Sequence, residues 1–154
     1  MQDNALTMDE INPFYFREPL APLVAARKHR RKISFERVVA FIRSHRKRHV
    51  LVEGAGGLLT PLGEGFTILD IARELNANLI IVAPNKLGVI NQALLALRVA
   101  GAASRKADTR VRRSDVQLVL MRQKKPDPSA KYNCSILREL AGRVPVYDFP
   151  YLRF

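Results

Sequence analysis

The sequence predicts an α/β fold, a parallel sheet with flanking helices, and three observations carry that prediction. Short apolar runs rich in Val, Ile and Leu recur at residues 50–52, 79–83 and 116–121, and runs of this length bounded by turn residues read as buried strands. Between them, apolar residues return at three- and four-residue spacing, the period of a helix face. The resulting order, strand, helix, strand, helix, strand, helix, is the pattern of parallel strands joined by right-handed crossovers.

Each element follows from local chemistry. Residues 1–19 are broken by Pro13 and Pro19 and are expected to be irregular, with Phe14, Tyr15 and Phe16 tacking them onto a core. A helix is expected over 19–31, because Leu20, Leu23, Val24 and Ala25 recur at helical spacing behind a proline that a first turn tolerates. Ser34 is the expected N-cap of the next helix, whose buried stripe is Val38, Val39, Phe41 and Ile42. Residues 49–53 form the first expected strand. Residues 66–75 read as a short helix with Ile68, Leu69, Ile71, Ala72 and Leu75 on its apolar side. The second strand, 78–84, is apolar at nearly every position, as expected of a parallel strand covered on both faces. A turn from Pro84 to Gly88 leads into a helix over 89–103 with Ile90, Leu94, Leu95, Leu97 and Val99 inside. The third strand is 116–121, followed by a helix over 129–142 that packs Ile136, Leu137 and Leu140, and by a short extended piece at 145–147.

Composition bounds the function. A chain of 154 residues that is 47% hydrophobic fits one domain, 1–154, with a real core. No apolar run approaches a membrane span, and the polar start Met-Gln-Asp-Asn has no apolar signal core, so no membrane partner is expected. The single cysteine, Cys134, cannot make an intramolecular disulfide, and the economical reading is a cytoplasmic protein with a reduced, buried or half-buried thiol. The net charge of +12 is concentrated: ten Lys or Arg lie between Arg27 and Arg48 against one acid, Glu36. Further clusters are Arg105, Lys106, Arg110, Arg112 and Arg113, and Arg122, Lys124 and Lys125. Such a balance favours polyanions through counterion release. No nucleic-acid motif and no interleaved aromatics accompany it, which favours a solvated basic surface over a nucleic-acid partner. His29, His45 and His49 have no Cys or carboxylate at metal-ligand spacing, and Ser34, Ser44 and Ser114 lack a nucleophile-elbow context.

The most informative segment is Val50-Leu51-Val52-Glu53-Gly54-Ala55-Gly56-Gly57. A strand here would carry Glu53 to its carboxyl end, where open α/β sheets bind ligands. The glycines would let backbone N–H groups approach an anion, and a carboxylate beside them is placed to hold a Mg²⁺ that bridges phosphates. A strand followed by a Gly-rich turn with an exposed Glu explains the same eight residues, and taken alone they leave both readings open.

The flanking segments add context. Upstream stands Asn12-Pro13-Phe14-Tyr15-Phe16-Arg17-Glu18-Pro19-Leu20-Ala21-Pro22, and downstream stand Thr60-Pro61-Leu62 and Lys86-Leu87-Gly88-Val89-Ile90-Asn91. In this order and with Val-Glu-Gly-Ala-Gly-Gly between them, the chain resembles the dethiobiotin synthetase family, ATP-dependent enzymes that close the ureido ring in biotin synthesis. The resemblance runs from about Ile11 to Ala100 and weakly on to Leu152. It implies a P-loop NTPase-like three-layer fold, Mg²⁺ and ATP as cofactors, a small-molecule diamine, 7,8-diaminononanoate, as substrate, and a homodimer. It further implies that Glu53 holds the metal, that Glu53, Gly54, Ala55 and Gly56 contact phosphate, and that Phe149, Pro150 and Tyr151 lie beside the nucleotide. Gly88, Val89, Ile90 and Asn91 would bind the substrate carboxylate across the dimer interface. The first turn of a helix suits that role, because its unpaired N–H groups and dipole favour an anion. Asp70 is expected either to orient the Gly-rich loop or to be a solvated helix carboxylate.

Two departures from the family pattern stand out. Family members begin with a strand, a P-loop and a helix before the Asn-Pro segment, whereas eleven residues precede Asn12 here and no Gly-x-x-x-x-Gly-Lys-Ser/Thr occurs in the chain. The expectation is a C-terminal part of a dethiobiotin synthetase-like domain missing its N-terminal strand–P-loop–helix unit, with no catalytic residue of its own and inactive alone. A separate P-loop-bearing subunit would complete it. The missing strand is central in the family's sheet, so its neighbours are expected to show unpaired backbone groups. The second departure is Met121-Arg122, where the family places an Asn that reads adenine; an Arg cannot offer an amide's paired donor and acceptor. The alternatives are a noncatalytic dimerising or regulatory remnant and a basic nucleic-acid-binding module.

Overall fold

In the computed structural model, residues 7–45, 49–102 and 116–152 are described. The elements in order are α1 (Met8–Ile11), α2 (Pro22–Lys28), α3 (Phe35–Ser44), β1 (Pro61–Gly63), β2 (Phe66–Thr67), α4 (Ile68–Glu74), β3 (Leu79–Pro84), α5 (Val89–Ala102), β4 (Val116–Met121), α6 (Ala130–Leu140) and β5 (Val146–Phe149). The chain divides into two compact units, Met1–Ile71 and Ala72–Phe154. The cluster Arg105, Lys106, Arg110, Arg112 and Arg113 lies outside the described residues.

In the first unit, the stretch expected to be irregular contains a helical turn, α1. Thr7 and Glu10 build a reciprocal capping box: the Glu10 carboxylate accepts from the Thr7 N–H at 2.7 Å, and the Thr7 hydroxyl oxygen accepts from the Glu10 N–H. Phe14 and Phe16 lie under the guanidinium groups of Arg37 and Arg31, 5.5 and 5.0 Å from the ring centroids. The aromatic segment is therefore held by cations as much as by a core, and Tyr15 is exposed. Glu18 bonds His29 and Lys28, each at 2.9 Å, and those hydrogen bonds lower its pKa from the usual 4.5 to about 2.

Helix α2 is shorter than expected because its first-turn proline is Pro22 rather than Pro19. It ends in a Schellman arrangement, with Arg30 at φ 50° and its N–H and that of Arg31 donating to the carbonyls of Arg27 and Ala26. Ser34 caps α3 as expected, its oxygen accepting from the Arg37 N–H at 3.3 Å, and Val39 is the buried centre of the stripe. Phe66 and Thr67, expected to open a helix, instead pair with Pro61 and Gly63 as an antiparallel hairpin. Phe66 packs edge-on against Phe35 at 5.5 Å, and the Asp70 carboxylate accepts from the N–H and hydroxyl of Thr67 at 2.8 and 2.7 Å. Asp70 thus fixes the start of α4.

Residues 49–53 are not a strand. They pair with no strand among the described residues, and Leu51 is 91% exposed. An apolar run becomes a strand only when a neighbour satisfies its N–H and C=O groups, and the described part of this chain supplies none.

The second unit is the predicted parallel sheet, in the order β3-β4-β5. Leu79 pairs with Val116 and Pro84 with Met121, then Leu118 pairs with Val146 and Met121 with Phe149. Parallel strands adjacent in sequence order ordinarily place their connecting helices on one face, and α5 and α6 pack against the same core cluster. There Val89 and Ala93 of α5 and Cys134 and Leu137 of α6 bury Ala83, Leu118, Leu120 and Val146. The expectation that 78–84 is covered on both faces fails: β3 pairs only with β4 among the described residues, and its Ile80 and Val82, on the face opposite the core cluster, are 54% and 60% exposed. Helix phase corrects three more residues. Val89, Ala93 and Ala100 set the inner face of α5, so Leu95 is exposed. In α6 the buried line is Asn133, Cys134 and Leu137, and Ile136 and Leu140 stand outside it. No helix among the described residues is long and apolar enough to cross a membrane.

Candidate functional site

The sheet of the second unit ends, at its carboxyl edge, in the row Pro84, Met121 and Phe149. Open α/β sheets bind ligands outside this edge. Two expected segments emerge there: the turn into α5, with Gly88, Val89, Ile90 and Asn91, and the end of β5 with the residues after it, Phe149, Pro150 and Tyr151.

The turn into α5 is tightly built. Gly88 has φ +91°, a conformation that L side chains rarely adopt, and nothing lies within 4 Å of where its Cβ would be. Val89 is fully buried and anchors the helix start, while Asn91 is exposed. The N–H groups of Gly88, Ile90 and Asn91 are bonded to no backbone carbonyl among the described residues, as the first turn of a helix dictates. These are donors free for an anion.

What holds that turn was not foreseen from the sequence. Asn85 and Asn133 are 1% and 3% exposed. The Asn133 amide donates to Asn85 Oδ1 at 2.9 Å, to Ser129 Oγ at 3.1 Å and to the Lys86 carbonyl at 3.3 Å. Asn85 donates in turn to the Ala130 carbonyl at 3.0 Å. Asp127 accepts from the Leu87 N–H at 2.8 Å through one oxygen and from the Ser129 N–H at 2.8 Å through the other. The Ser129 hydroxyl first, and then the Leu87 N–H, hold the Asp127 carboxyl below the usual carboxylate range, so it is a charged acceptor at neutral pH. The only sequence signal was the pattern Asp-Pro-Ser before α6, a turn-and-cap signature.

At the end of β5 and just after it, Phe149 and Tyr151 are exposed. Arg122, also exposed, is paired: its guanidinium grips Asp148 of β5 at 2.6 to 3.1 Å in a fork geometry, and its backbone N–H donates to the Phe149 carbonyl at 2.9 Å. Arg122 is therefore committed to an ion pair, which lowers the Asp148 pKa.

In the first unit, Glu53, Gly54, Ala55 and Gly56 form an exposed loop. A Cβ on Gly56, which has φ +85°, would come within 2.6 Å of Thr60 Oγ1, and one on Gly54 within 2.5 Å of Ile68 Cδ1. These glycines are needed for the loop to close on its own neighbours, whatever it binds. Gly56→Ala is expected to destabilise the first unit by about 1–2 kcal/mol, the cost of a left-handed non-glycine residue. Gly57→Ala, which meets nothing within 4 Å, serves as the control in urea unfolding; equal losses for the two would contradict this packing role.

Glu53 supplies one carboxylate, and no group of three His, Cys, Asp or Glu residues able to hold a metal exists among the described residues. That donor set does not build a protein cage. It fits Mg²⁺, which binds through one or two carboxylates with substrate phosphates and waters completing the octahedron. The close-packed backbone of Gly54 to Gly56 likewise fits contact with a phosphate through N–H groups rather than through charged side chains.

Comparison with known proteins identifies the family of the chain. The family model for an AAA domain matches residues 2–146. An ATP-dependent dethiobiotin synthetase of Anaeromyxobacter sp. (strain Fw109-5) is 35% identical over 158 residues, covering 98% of this chain and 66% of that protein. One from Bacillus licheniformis is 39% identical over 102 residues, or 65% of this chain and 43% of that protein. One from Corynebacterium glutamicum (strain R) is 44% identical over 88 residues, 55% of this chain and 39% of that protein. The chain thus spans between about two-fifths and two-thirds of the length of these relatives.

Proposed function

The chain belongs to the AAA domain family and, within it, to the dethiobiotin synthetases, and from that premise we propose that it serves the ATP- and Mg²⁺-dependent closure of the ureido ring of 7,8-diaminononanoate with CO₂ in biotin synthesis. The observation that carries this reading is the start of α5. A buried Val89, a left-handed Gly88 and an exposed Asn91 present free N–H groups at the positive end of a 14-residue helix, at the ligand edge of a parallel sheet. That arrangement suits the carboxylate of an amino acid-like substrate.

The roles follow. Gly88, Val89, Ile90 and Asn91 of one protomer hold the carboxylate of the substrate bound by its partner in a homodimer. Glu53 holds Mg²⁺, Gly54, Ala55 and Gly56 meet phosphate and substrate, and Phe149, Pro150 and Tyr151 flank the base. When bound, ATP supplies the phosphoryl group that makes a carbamate oxygen a leaving group. The base itself is read without the family's amide, because Arg122 is paired with Asp148.

Phosphoryl transfer needs N–H groups and a lysine around the transferred phosphate, and no Gly-x-x-x-x-Gly-Lys-Ser/Thr occurs in these 154 residues. A P-loop-bearing segment, in the same polypeptide or in a separate subunit, completes the site in this proposal. Its docking place is the outer edge of β3, whose all-apolar sequence suits a strand with neighbours on both edges but which pairs only with β4 among the described residues.

Titration calorimetry tests the substrate corner. The chain is expected to bind 7,8-diaminononanoate, and Asn91→Ala to weaken that binding about tenfold, the loss of one hydrogen bond to a charged group. Glu53→Ala is expected to remove the Mg²⁺ dependence of ATP binding while leaving the diamine affinity in place. Failure of the unaltered chain to bind the diamine would overturn the assignment.

A further inference from the structure

The network beneath the α5 turn reaches further than holding a loop. Asn133 fixes the Lys86 carbonyl and the Asn85 side chain, and Asp127 fixes the Leu87 N–H. The peptide group between Lys86 and Leu87 is therefore held at both its carbonyl and its N–H from the beginning of α6, just before the left-handed Gly88 turns the chain into its helix. Asn133 has two amide hydrogens and three acceptors within 3.3 Å, so its donors are committed within the protein. Asp127 is likewise spent on Leu87 and Ser129, yet it keeps its charge.

We infer that Asn133 and Asp127 are positioning residues for the anion site at Gly88, Ile90 and Asn91, and that the fixed charge of Asp127 tunes this site to a singly charged carboxylate over a phosphate. The inference rests on the proposal that the turn holds a carboxylate. Its physical content has two parts. Orientation comes from Asn133: a buried amide that bonds a carbonyl and a side chain of the facing turn keeps the N–H groups that follow pointed outward. Selectivity comes from Asp127: its carboxylate occupies the first N–H of the turn and places a negative charge one residue from Gly88. A helix start alone favours any anion, and more strongly the more charge the anion carries. A resident carboxylate opposes that trend, because repulsion grows with the ligand's charge. A monocarboxylate pays this repulsion once, a phosphate close to twice.

Amide NMR on the intact chain tests both parts, with 7,8-diaminononanoate and inorganic phosphate as probes and the signals of Gly88, Ile90 and Asn91 as reporters. The unaltered chain is expected to shift these signals with the diamine acid at lower concentration than with phosphate. Asp127→Asn keeps the shape and an acceptor oxygen but loses the charge, and is expected to narrow that preference about five- to tenfold. Asn133→Leu keeps the volume and loses both donors, and is expected to weaken the diamine acid about tenfold. A purely structural role for Asp127 would lower both affinities together and leave their ratio unchanged. An unchanged ratio in Asp127→Asn, or a folded Asn133→Leu chain that binds as tightly as the unaltered one, overturns the inference. Absence of any diamine-induced shift at these three amides in the unaltered chain would instead remove the carboxylate reading itself, and the inference with it.

Discussion

Leu137→Ala is expected to lower the unfolding free energy of the second unit by about 3–4 kcal/mol, in the range of a leucine truncated in a packed core. Leu137 is 0% exposed, and it sits on α6 where that helix meets Leu118, Leu120 and Val146. The loss has two sources: transfer of the removed methyl groups and the cavity they leave, which a sheet pinned by two parallel ladders cannot collapse to fill. Leu95→Ala provides the contrast. Leu95 is 55% exposed, on the same kind of helix with the same side chain, and its removal is expected to cost below about 1 kcal/mol. Urea unfolding followed by circular dichroism separates the two variants, since the chain has no tryptophan to report by fluorescence. Equal losses would mean that α6 is not docked on the sheet as described.

That pair of leucines also marks the limit of what the sequence disclosed. Strand β4 was legible to the residue, β3 to within one residue at either end and α5 at its start, because a turn with Pro84 and Gly88 and a run of β-branched residues act locally. Helix phase was less legible: Leu95 and Ile136 are as apolar as their buried neighbours, and only the position of the sheet decides which face turns inward. Residues 49–53 failed for the opposite reason, since strand formation depends on a partner distant in sequence. The hairpin of β1 and β2 did carry a signal, Gly63-Glu64-Gly65 between Pro61-Leu62 and Phe66-Thr67, which reads as a short hairpin loop. Of the candidate site, the turn at Lys86 to Asn91 was visible as a motif. Its supports were not, because Asn85 and Asn133 are 48 residues apart and meet only through the topology of the sheet. Arg122 was visible as a departure from the family pattern, but its commitment to Asp148 depends on the register of β4 against β5.

On the proposed function, the 154 residues by themselves are expected to close no ureido ring above background, and addition of a separate segment carrying a Gly-x-x-x-x-Gly-Lys-Ser/Thr loop is expected to raise the rate at least a thousandfold. The size follows from what a P-loop does. Loss of one preorganised donor to a developing oxyanion costs about a hundred- to a thousandfold in rate, and a P-loop supplies several backbone donors together with a lysine and a Mg²⁺-binding hydroxyl. Glu53 and the glycines after it do not replace these, because a single carboxylate binds metal but repels phosphate unless a cation lies between them. The same experiment reads the structural side of the proposal. A strand that adds beside β3 would protect the backbone groups along that edge from hydrogen exchange, and its helix, packed over the open face of the sheet, would cover Ile80 and Val82, now 54% and 60% exposed. Ile80→Lys with Val82→Lys should then block the rate increase while sparing diamine binding at the α5 turn. Full ring closure by the unsupplemented chain would show that phosphate is held by other means, and a rate increase that survives the double lysine variant would place the added segment elsewhere than at β3.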